Sequence, residues 1–356
     1  MWNRDCKSFN GIYSCDILKS ENYQDCSECK FYEKIDKKIL IIKLGAMGDV
    51  LRTTTILPAI KKKYGRNCYI TWLVLQESKE LLEDNQYIDK ILIYSQDSIL
   101  QIQQEKFDIL YSLEITPPAT LIANLINAEE KFGYFFDKDS HPNYFNESAK
   151  NYLENVFSDY KNKEDKRTYQ EMLFEITELE YEKQPYILNL QLPKLKSGKV
   201  IGINIGSAGR WKSKAWHPDS IKELIEKLPK QYRVILLGGP EEIEFLPDLA
   251  YELKSQGINV ETNNPNNTIK EFISVLNKCD LIITGDTLAL HLAIALNKKI
   301  IALFFCTPDW QIESYNLVEK IKSPLLDKYF MSDNYSEELT KSIPVKEVLE
   351  RIKWNL

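Results

Sequence analysis

The chain has 356 residues, 44 % hydrophobic and 28 % charged, with a formal net charge of -6 and a pI near 5.4. Such a length exceeds one ordinary domain and suits two, and the composition is that of a soluble globular protein. The acidic balance excludes the basic face of a nucleic-acid binder, and no apolar run reaches the ~20 residues needed to cross a bilayer.

The first residues, Met-Trp-Asn-Arg-Asp-Cys, carry no apolar signal core, so a cytoplasmic protein is expected, with peripheral contact at the inner face of the membrane left open. Residues 1–36 form a polar preface with four of the seven cysteines, Cys6, Cys15, Cys26 and Cys29. Their spacing is C-x₈-C-x₁₀-C-x₂-C. The Cys26/Cys29 pair is a usual metal knuckle, and four thiolates close a tetrahedral Zn or Fe site. Such a site would fold a segment too small and polar for its own core. Free thiols, disulfides and an iron–sulfur cluster are the rival readings, disulfides being rare in the cytoplasm. Cys68, Cys279 and Cys306 stand singly in apolar surroundings and read as core.

From Lys37 onward strand and helix patterns alternate. Strands are predicted at 39–44, 69–75, 90–94 and 108–113, with helices at 50–64 and 119–126 between them. Residues 131–163 are aromatic-rich and irregular, 164–179 reads as a helix, and 184–197, with two prolines, as a linker. A second alternating run follows, with strands at 199–205, 233–237, 281–284 and 299–305. Its helices are predicted at 218–228, 241–256, 269–278, 289–296 and 345–353. Alternation of this kind means parallel sheets with crossover helices. The fold class is α/β, in two halves expected to enclose a cleft, a preferred place for small-molecule sites. The domains are placed at 37–190 and 198–344, behind the preface 1–36 as a candidate metal-binding segment.

Three loops carry the chemistry. The first strand runs into Lys43-Leu-Gly-Ala-Met-Gly-Asp-Val-Leu-Arg52, a glycine loop that ends on Asp49 where a helix begins. Ligands bind at the carboxyl ends of strands in open α/β sheets, so Asp49 is a candidate for chemistry. It is equally a candidate helix cap. Strand 281–284 leads into Gly285-Asp286-Thr287 and a helix bearing His291; backbone N–H groups at such a helix start suit a phosphate. Third, Ser207, Ala208 and Gly209 offer backbone donors to a diphosphate, and Arg210, Lys212 and Lys214 bring positive charge. A solvated basic loop is the plainer reading of that third stretch.

The ordered set Lys-Leu-Gly-Ala-Met-Gly-Asp-Val-Leu-Arg-Thr-Thr, Lys214-Ala-Trp-His-Pro218 and Gly285-Asp-Thr-Leu-Ala-Leu-His291 resembles the ADP-heptose:lipopolysaccharide heptosyltransferases, glycosyltransferase family 9. The likeness spans about residues 37 to 320. It implies the GT-B architecture, two Rossmann-like domains facing across a cleft, in which the last helix, with residues 345–356, returns to the first domain. It implies an inverting transfer that needs no metal or cofactor for catalysis. The partners it implies are a nucleotide diphosphate sugar, with ADP-heptose favoured, and a cell-surface glycan or glycolipid acceptor. By the same resemblance Asp49 is the general base, Lys214 holds the diphosphate, and Ser207, Gly285, Asp286, Thr287 and His291 line the donor site. Lys43, Met47, Gly48 and Arg52 lie on the acceptor side. The chain departs from the family at Leu288, where a glycine usually follows the Asp-Thr pair, and at Phe305-Cys306, where Gly-Pro is usual. The alternative is a non-catalytic nucleotide-sugar-binding or scaffold protein on the same fold.

Overall fold

The computed structural model describes all residues except 1, 191, 194–197, 208 and 356. The chain divides into two compact units. One comprises Met1–Val156 with Glu171–Gln184, the other Phe157–Gln170 with Pro185–Leu356.

The first unit holds a six-stranded sheet: β1 (Lys37–Ile42), β2 (Cys68–Val74), β3 (Lys90–Ile93), β4 (Lys106–Ser112), β5 (Asn127–Phe136) and β6 (Pro142–Tyr144). The strand order is β3-β2-β1-β4-β5-β6, parallel except for β6, which runs antiparallel to β5. Ile39, Leu40, Ile41 and Ile42 are all fully buried. That is why β1 reads as an unbroken apolar run rather than an alternating one: helices cover both faces of a parallel sheet.

The second unit repeats the plan with β7 (Val200–Asn204), β8 (Arg233–Leu237), β9 (Val260–Thr262), β10 (Leu281–Gly285), β11 (Lys299–Phe304) and β12 (Val318–Lys322). Their order is β12-β11-β10-β7-β8-β9, parallel throughout. Its core includes Ile203, Leu224, Leu236, Leu249 and Leu281. In both sheets the chain starts at the centre, builds outward to one edge, then crosses back to the other side of the first strand. The points of reversal, between β1 and β4 and between β7 and β10, are where an open α/β sheet leaves a crevice at its carboxyl edge.

The elements differ from the sequence reading in four places. The helix predicted over 50–64 is two helices, Met47–Thr53 and Ile56–Tyr64. The break falls in a run of threonines: Thr53, Thr54 and Thr55 hydroxyls donate to the carbonyls of Asp49, Leu51 and Arg52. Such back-bonding competes with the helical ladder and bends it. The stretch 131–163 is not irregular. Tyr134 and Phe132 are buried in β5, and helices Glu147–Phe157 and Asp159–Glu164 follow. Strands β9 and β12 also escaped the reading, being short edge strands with exposed polar residues. Finally, the terminal helix Val345–Asn355 is built into the second unit: Val345, Val348 and Ile352 belong to that unit's core.

Segment 2–36 is tied to the first unit by few contacts. Lys7 Nζ donates to Arg66 O at 2.8 Å, and Asp36 N–H donates to Asn67 O at 3.2 Å. Leu18 is its buried apolar residue, while Trp2, Ile12, Tyr13, Phe31 and Tyr32 are exposed.

Candidate functional site

At the first point of reversal, β1 ends one residue before Lys43. The Lys43 side chain is buried, and its Nζ donates to Leu113 O at 2.9 Å and to Glu114 Oε2 at 3.0 Å. Leu113 and Glu114 follow β4, so the ammonium ties together the ends of the two strands that flank the reversal. Gly45 comes next, and a Cβ there would collide with the Glu114 carboxylate. Only glycine lets the loop pass this close.

The helix that follows has Ala46 as its N-cap, without a side-chain cap bond, and starts at Met47. Asp49 therefore is not the cap. It sits in the first turn, where a carboxylate is favoured by the helix dipole. Its side chain keeps 34 % of its surface exposed, and its Oδ1 lies 2.7 Å from Arg52 Nη2. Gly48 is buried, and Met47 is half-buried at the loop. Of the residues singled out here, Lys43, Gly48, Asp49 and Arg52 thus gather at one crevice, with Met47 at its rim. Glu114 was missed. It carries the same signal that found Asp49, an acid just past a strand's carboxyl end, but no glycine loop marks it.

At the second reversal the donors and charges are denser. Lys214 ends a short 3₁₀ turn, Lys212–Lys214, and its Nζ lies 3.0 Å from Asp286 Oδ2, the two side chains 19 % and 17 % exposed. The same ammonium stands 5.2 Å from the ring centroid of Trp211. A Cβ on Gly285 would collide with the backbone carbonyl of Lys214, so this glycine is what admits the turn to the end of β10. Asp286 also lies 3.9 Å from Nε2 of His291. His291 is buried, its Nδ1 3.2 Å from the Tyr186 hydroxyl, with the two rings stacked.

Thr287 is the N-cap of the helix Leu288–Ala295, with no side-chain cap bond. Its Oγ1 accepts from Asn204 Nδ2 at 3.2 Å and contacts Thr284 Oγ1 at 3.1 Å. Ser207 is buried at the end of the β7 loop, where its hydroxyl donates to Lys212 O. Ala208 lies outside the described residues. Gly209 and Arg210 are exposed, Gly209 N–H donating to Glu241 Oε1 and Arg210 pairing with Asp333.

Ser207, Lys214, Gly285, Asp286, Thr287 and His291 are thus brought to one edge of the second sheet, whereas Arg210 and Lys212 face solvent. Two other residues of the Lys214–Pro218 run are structural. Trp216 is buried with Nε1 donating to Ile343 O. His217 caps the helix Pro218–Lys227, Nδ1 accepting from Asp219 N–H, and burial, followed by Lys341, holds its pKa below the usual 6.5.

Sequence reasoning missed Tyr186, Asn204 and Glu242 here. Asn204 stands at a strand end, a signal that was available. Tyr186 sits in a stretch read as linker, where nothing marked it. Glu242 presses its carboxylate against Gly206 and accepts from Gly239 N–H at 2.9 Å; burial raises its pKa.

Cys6, Cys15, Cys26 and Cys29 all line one small cavity of about 20 Å³, with Leu18 and Phe31 among its walls. A void of that size admits a single atom-sized guest. All four thiols are free. Among the described residues, however, no three His, Cys, Asp or Glu side chains are grouped as a metal would need. The expected closed tetrathiolate is not formed in this structure. Cys68, Cys279 and Cys306 are buried, and burial pushes the Cys279 thiol up to about 12 and that of Cys306 to about 11, as fits core residues.

The glycosyltransferase family 9 (heptosyltransferase) model matches residues 101–326. A lipopolysaccharide heptosyltransferase 1 from Campylobacter coli is 25 % identical over 314 residues, covering 80 % of this chain and 88 % of that protein. Among solved structures, Escherichia coli ADP-heptose lipopolysaccharide heptosyltransferase II superposes with a TM-score of 0.64 at 17 % identity, over 89 % of this chain and 98 % of that one. The E. coli heptosyltransferase WaaC with ADP-2-deoxy-2-fluoro heptose does so with a TM-score of 0.60 at 15 % identity, over 90 % of this chain and all of that one. These likenesses fit the two six-stranded sheets and the ordered loops: the chain belongs to glycosyltransferase family 9, the heptosyltransferases, and is a glycosyltransferase.

Proposed function

We propose that this glycosyltransferase moves a heptose from ADP-heptose to a hydroxyl of a cell-surface glycan or glycolipid, with inversion at the anomeric carbon. What carries the reading is the Lys214–Asp286–His291 cluster at the carboxyl edge of the second sheet, a cation beside a helix start. The relative crystallised with ADP-2-deoxy-2-fluoro heptose supports ADP-heptose as the donor class.

In this mechanism Asp49 takes the proton of the acceptor hydroxyl as its oxygen attacks the anomeric carbon. The bond from that carbon to the β-phosphate oxygen breaks in the same displacement, and ADP leaves with its electron pair. Base assistance of this kind is worth roughly 10²–10⁴-fold. Lys214 meets the charge that grows on the leaving diphosphate, an interaction strongest in the transition state. Gly285 and Ser207 keep the loops close to the phosphates, Thr287 offers a hydroxyl to them, and Asp286 accepts from sugar hydroxyls. His291, held by Tyr186, fixes the far side of Asp286. Arg52 orients Asp49, and Lys43, Met47 and Gly48 shape the acceptor side. No step calls on a metal or cofactor.

No described helix is long and apolar enough to cross a membrane. A glycolipid acceptor would be met at the inner face of the membrane, in the cytoplasm, by peripheral contact.

The test is calorimetric titration with ADP, GDP, UDP and CDP, followed by transfer from ADP-heptose by wild type and Asp49→Ala. Selective ADP binding and a variant that binds ADP but transfers at least ~10²-fold more slowly are expected. Wild-type turnover in the variant would remove Asp49 from the mechanism. No binding to any of the four nucleotides would favour the non-catalytic scaffold.

For the preface, we propose a structural Zn or Fe at Cys6, Cys15, Cys26 and Cys29. The shared cavity and the single buried apolar residue of the segment support it. Metal analysis of protein prepared without chelator is expected to give near one equivalent; under about a tenth would sink the idea.

A further inference from the structure

We propose that Glu114, locked in place by Lys43, is a positioning residue that raises the proton affinity of Asp49. The proposal deepens the reading of Asp49 as the base and rests on it for its consequence in catalysis, though not for its electrostatics.

Glu114 follows β4 and Lys43 follows β1, strands paired in register with Ile42 opposite Ser112. The Glu114 side chain is only 10 % exposed. Both of its oxygens are held: Oε2 accepts from Lys43 Nζ at 3.0 Å, and Oε1 accepts from Ile115 N–H at 3.1 Å. Thus fixed, the carboxylate fills the space a side chain on Gly45 would take. Asp49 Oδ2 borders the same space, 3.6 Å from that Cβ position. Two carboxylates therefore stand within roughly 6 Å of each other across one glycine.

A like charge at that distance disfavours ionisation. The like charge pushes the Asp49 carboxyl toward its protonated form, and the ammonium held by Glu114 offsets part of that push. Arg52 works in the opposite sense on Asp49 from its own helix. The turn Gln76–Ser78 and the helix Lys79–Leu82, which pack on that helix, add Glu77, Lys79 and Glu80. Glu114→Gln leaves all of these in place and removes one charge at nearly constant shape. The chemical sense is direct. The Arg52 salt bridge makes Asp49 a weaker base, and Glu114 restores part of its basicity.

The experiment is an NMR titration of the Asp49 carboxyl carbon in protein labelled at aspartate, assigned with Asp49→Asn. Glu114→Gln is expected to lower the midpoint by about 0.5–2 units, Lys43→Met to raise it, and the neutral pair Lys43→Met/Glu114→Gln to lower it less than Glu114→Gln alone. ADP affinity is expected to stay within about twofold in Glu114→Gln, since that residue is on the first sheet. If Glu114→Gln does not fold, the neutral pair and Lys43→Met carry the measurement. A midpoint that moves by less than about 0.2 units in every folded variant overturns the proposal. The acid limb of kcat/KM should follow the midpoint. If the midpoint moves and the rate profile does not, Glu114 tunes Asp49 as stated and it is the assignment of Asp49 as base that falls.

Discussion

Replacing Lys214 by Met removes the cation 3.0 Å from Asp286, in a pair only 19 % and 17 % exposed. The bare attraction at that distance is about 5–6 kcal/mol at an effective dielectric constant near 20. Most of it is cancelled by the cost of drawing both charges out of water. A hydrogen bond to a charged group nets about 1.5–3 kcal/mol. That is the scale on which a diphosphate would gain from Lys214, so Lys214→Met should bind ADP roughly 10- to 150-fold more weakly.

The pair adds a second, less obvious expectation. Without ligand, Asp286 occupies the ammonium and competes with phosphate for it. Asp286→Asn removes the competing charge and should tighten ADP several-fold, while slowing transfer if Asp286 accepts from sugar hydroxyls. Calorimetry with ADP, and with AMP as a control lacking the second phosphate, separates these effects. Lys214→Met also takes the ammonium away from a largely buried Asp286, at a cost of about 1–3 kcal/mol given its residual exposure. Titrations must therefore be run well below each variant's melting temperature, and the double variant should recover part of the lost stability. ADP binding within twofold of wild type in Lys214→Met would refute the assignment of this lysine to the diphosphate. So would an Asp286→Asn variant that binds ADP more weakly than Lys214→Met does.

Gly285→Ala places a methyl group against the Lys214 carbonyl and should cost about 1–3 kcal/mol by chemical denaturation, with ADP affinity falling alongside; unchanged stability would mean that the 212–214 turn moves aside freely. His217 caps the helix Pro218–Lys227 through a neutral Nδ1, and its folded pKa lies below 6.5 because burial disfavours the charged ring. A depressed histidine contributes stability above its unfolded pKa and loses it as pH falls through 6.5. Stability should therefore begin to drop as pH falls through 6.5, by up to the ~1 kcal/mol typical of a cap. His217→Asn, a cap that does not titrate, should flatten that part of the profile; an identical pH dependence in the variant would remove His217 as its source.

Much of this architecture is written locally. Strands β8 and β10 and the helix Ile269–Lys278 lie within a residue of where their patterns place them. Apolar runs bounded by Gly or Asp need no distant partner to be recognised. The polar short strands β9 and β12 take their state from hydrogen bonding to a neighbour, which no local pattern records. The stretch around β5 hid for a related reason: its aromatic residues find their partners on other elements, Phe132 against Tyr111 of β4 and Tyr134 against Tyr152.

Two parallel α/β halves, each with an acid just past the carboxyl end of a central strand, were readable from periodicity and from residue types whose chemistry is local. That Lys214 belongs with Asp286 and His291 came only from the resemblance of the ordered motifs to a family. Which side chains meet was set by the folded packing. It paired Lys43 with Glu114, 71 positions apart, and Tyr186 with His291, 105 positions apart. It took the cap role from Asp49 and gave one to His217. It brought four cysteines to one cavity without joining them. Contacts of this kind depend on strand order and on how crossovers return the chain to the sheet, and strand order is set by the packing of the whole unit rather than by any stretch of residues within it.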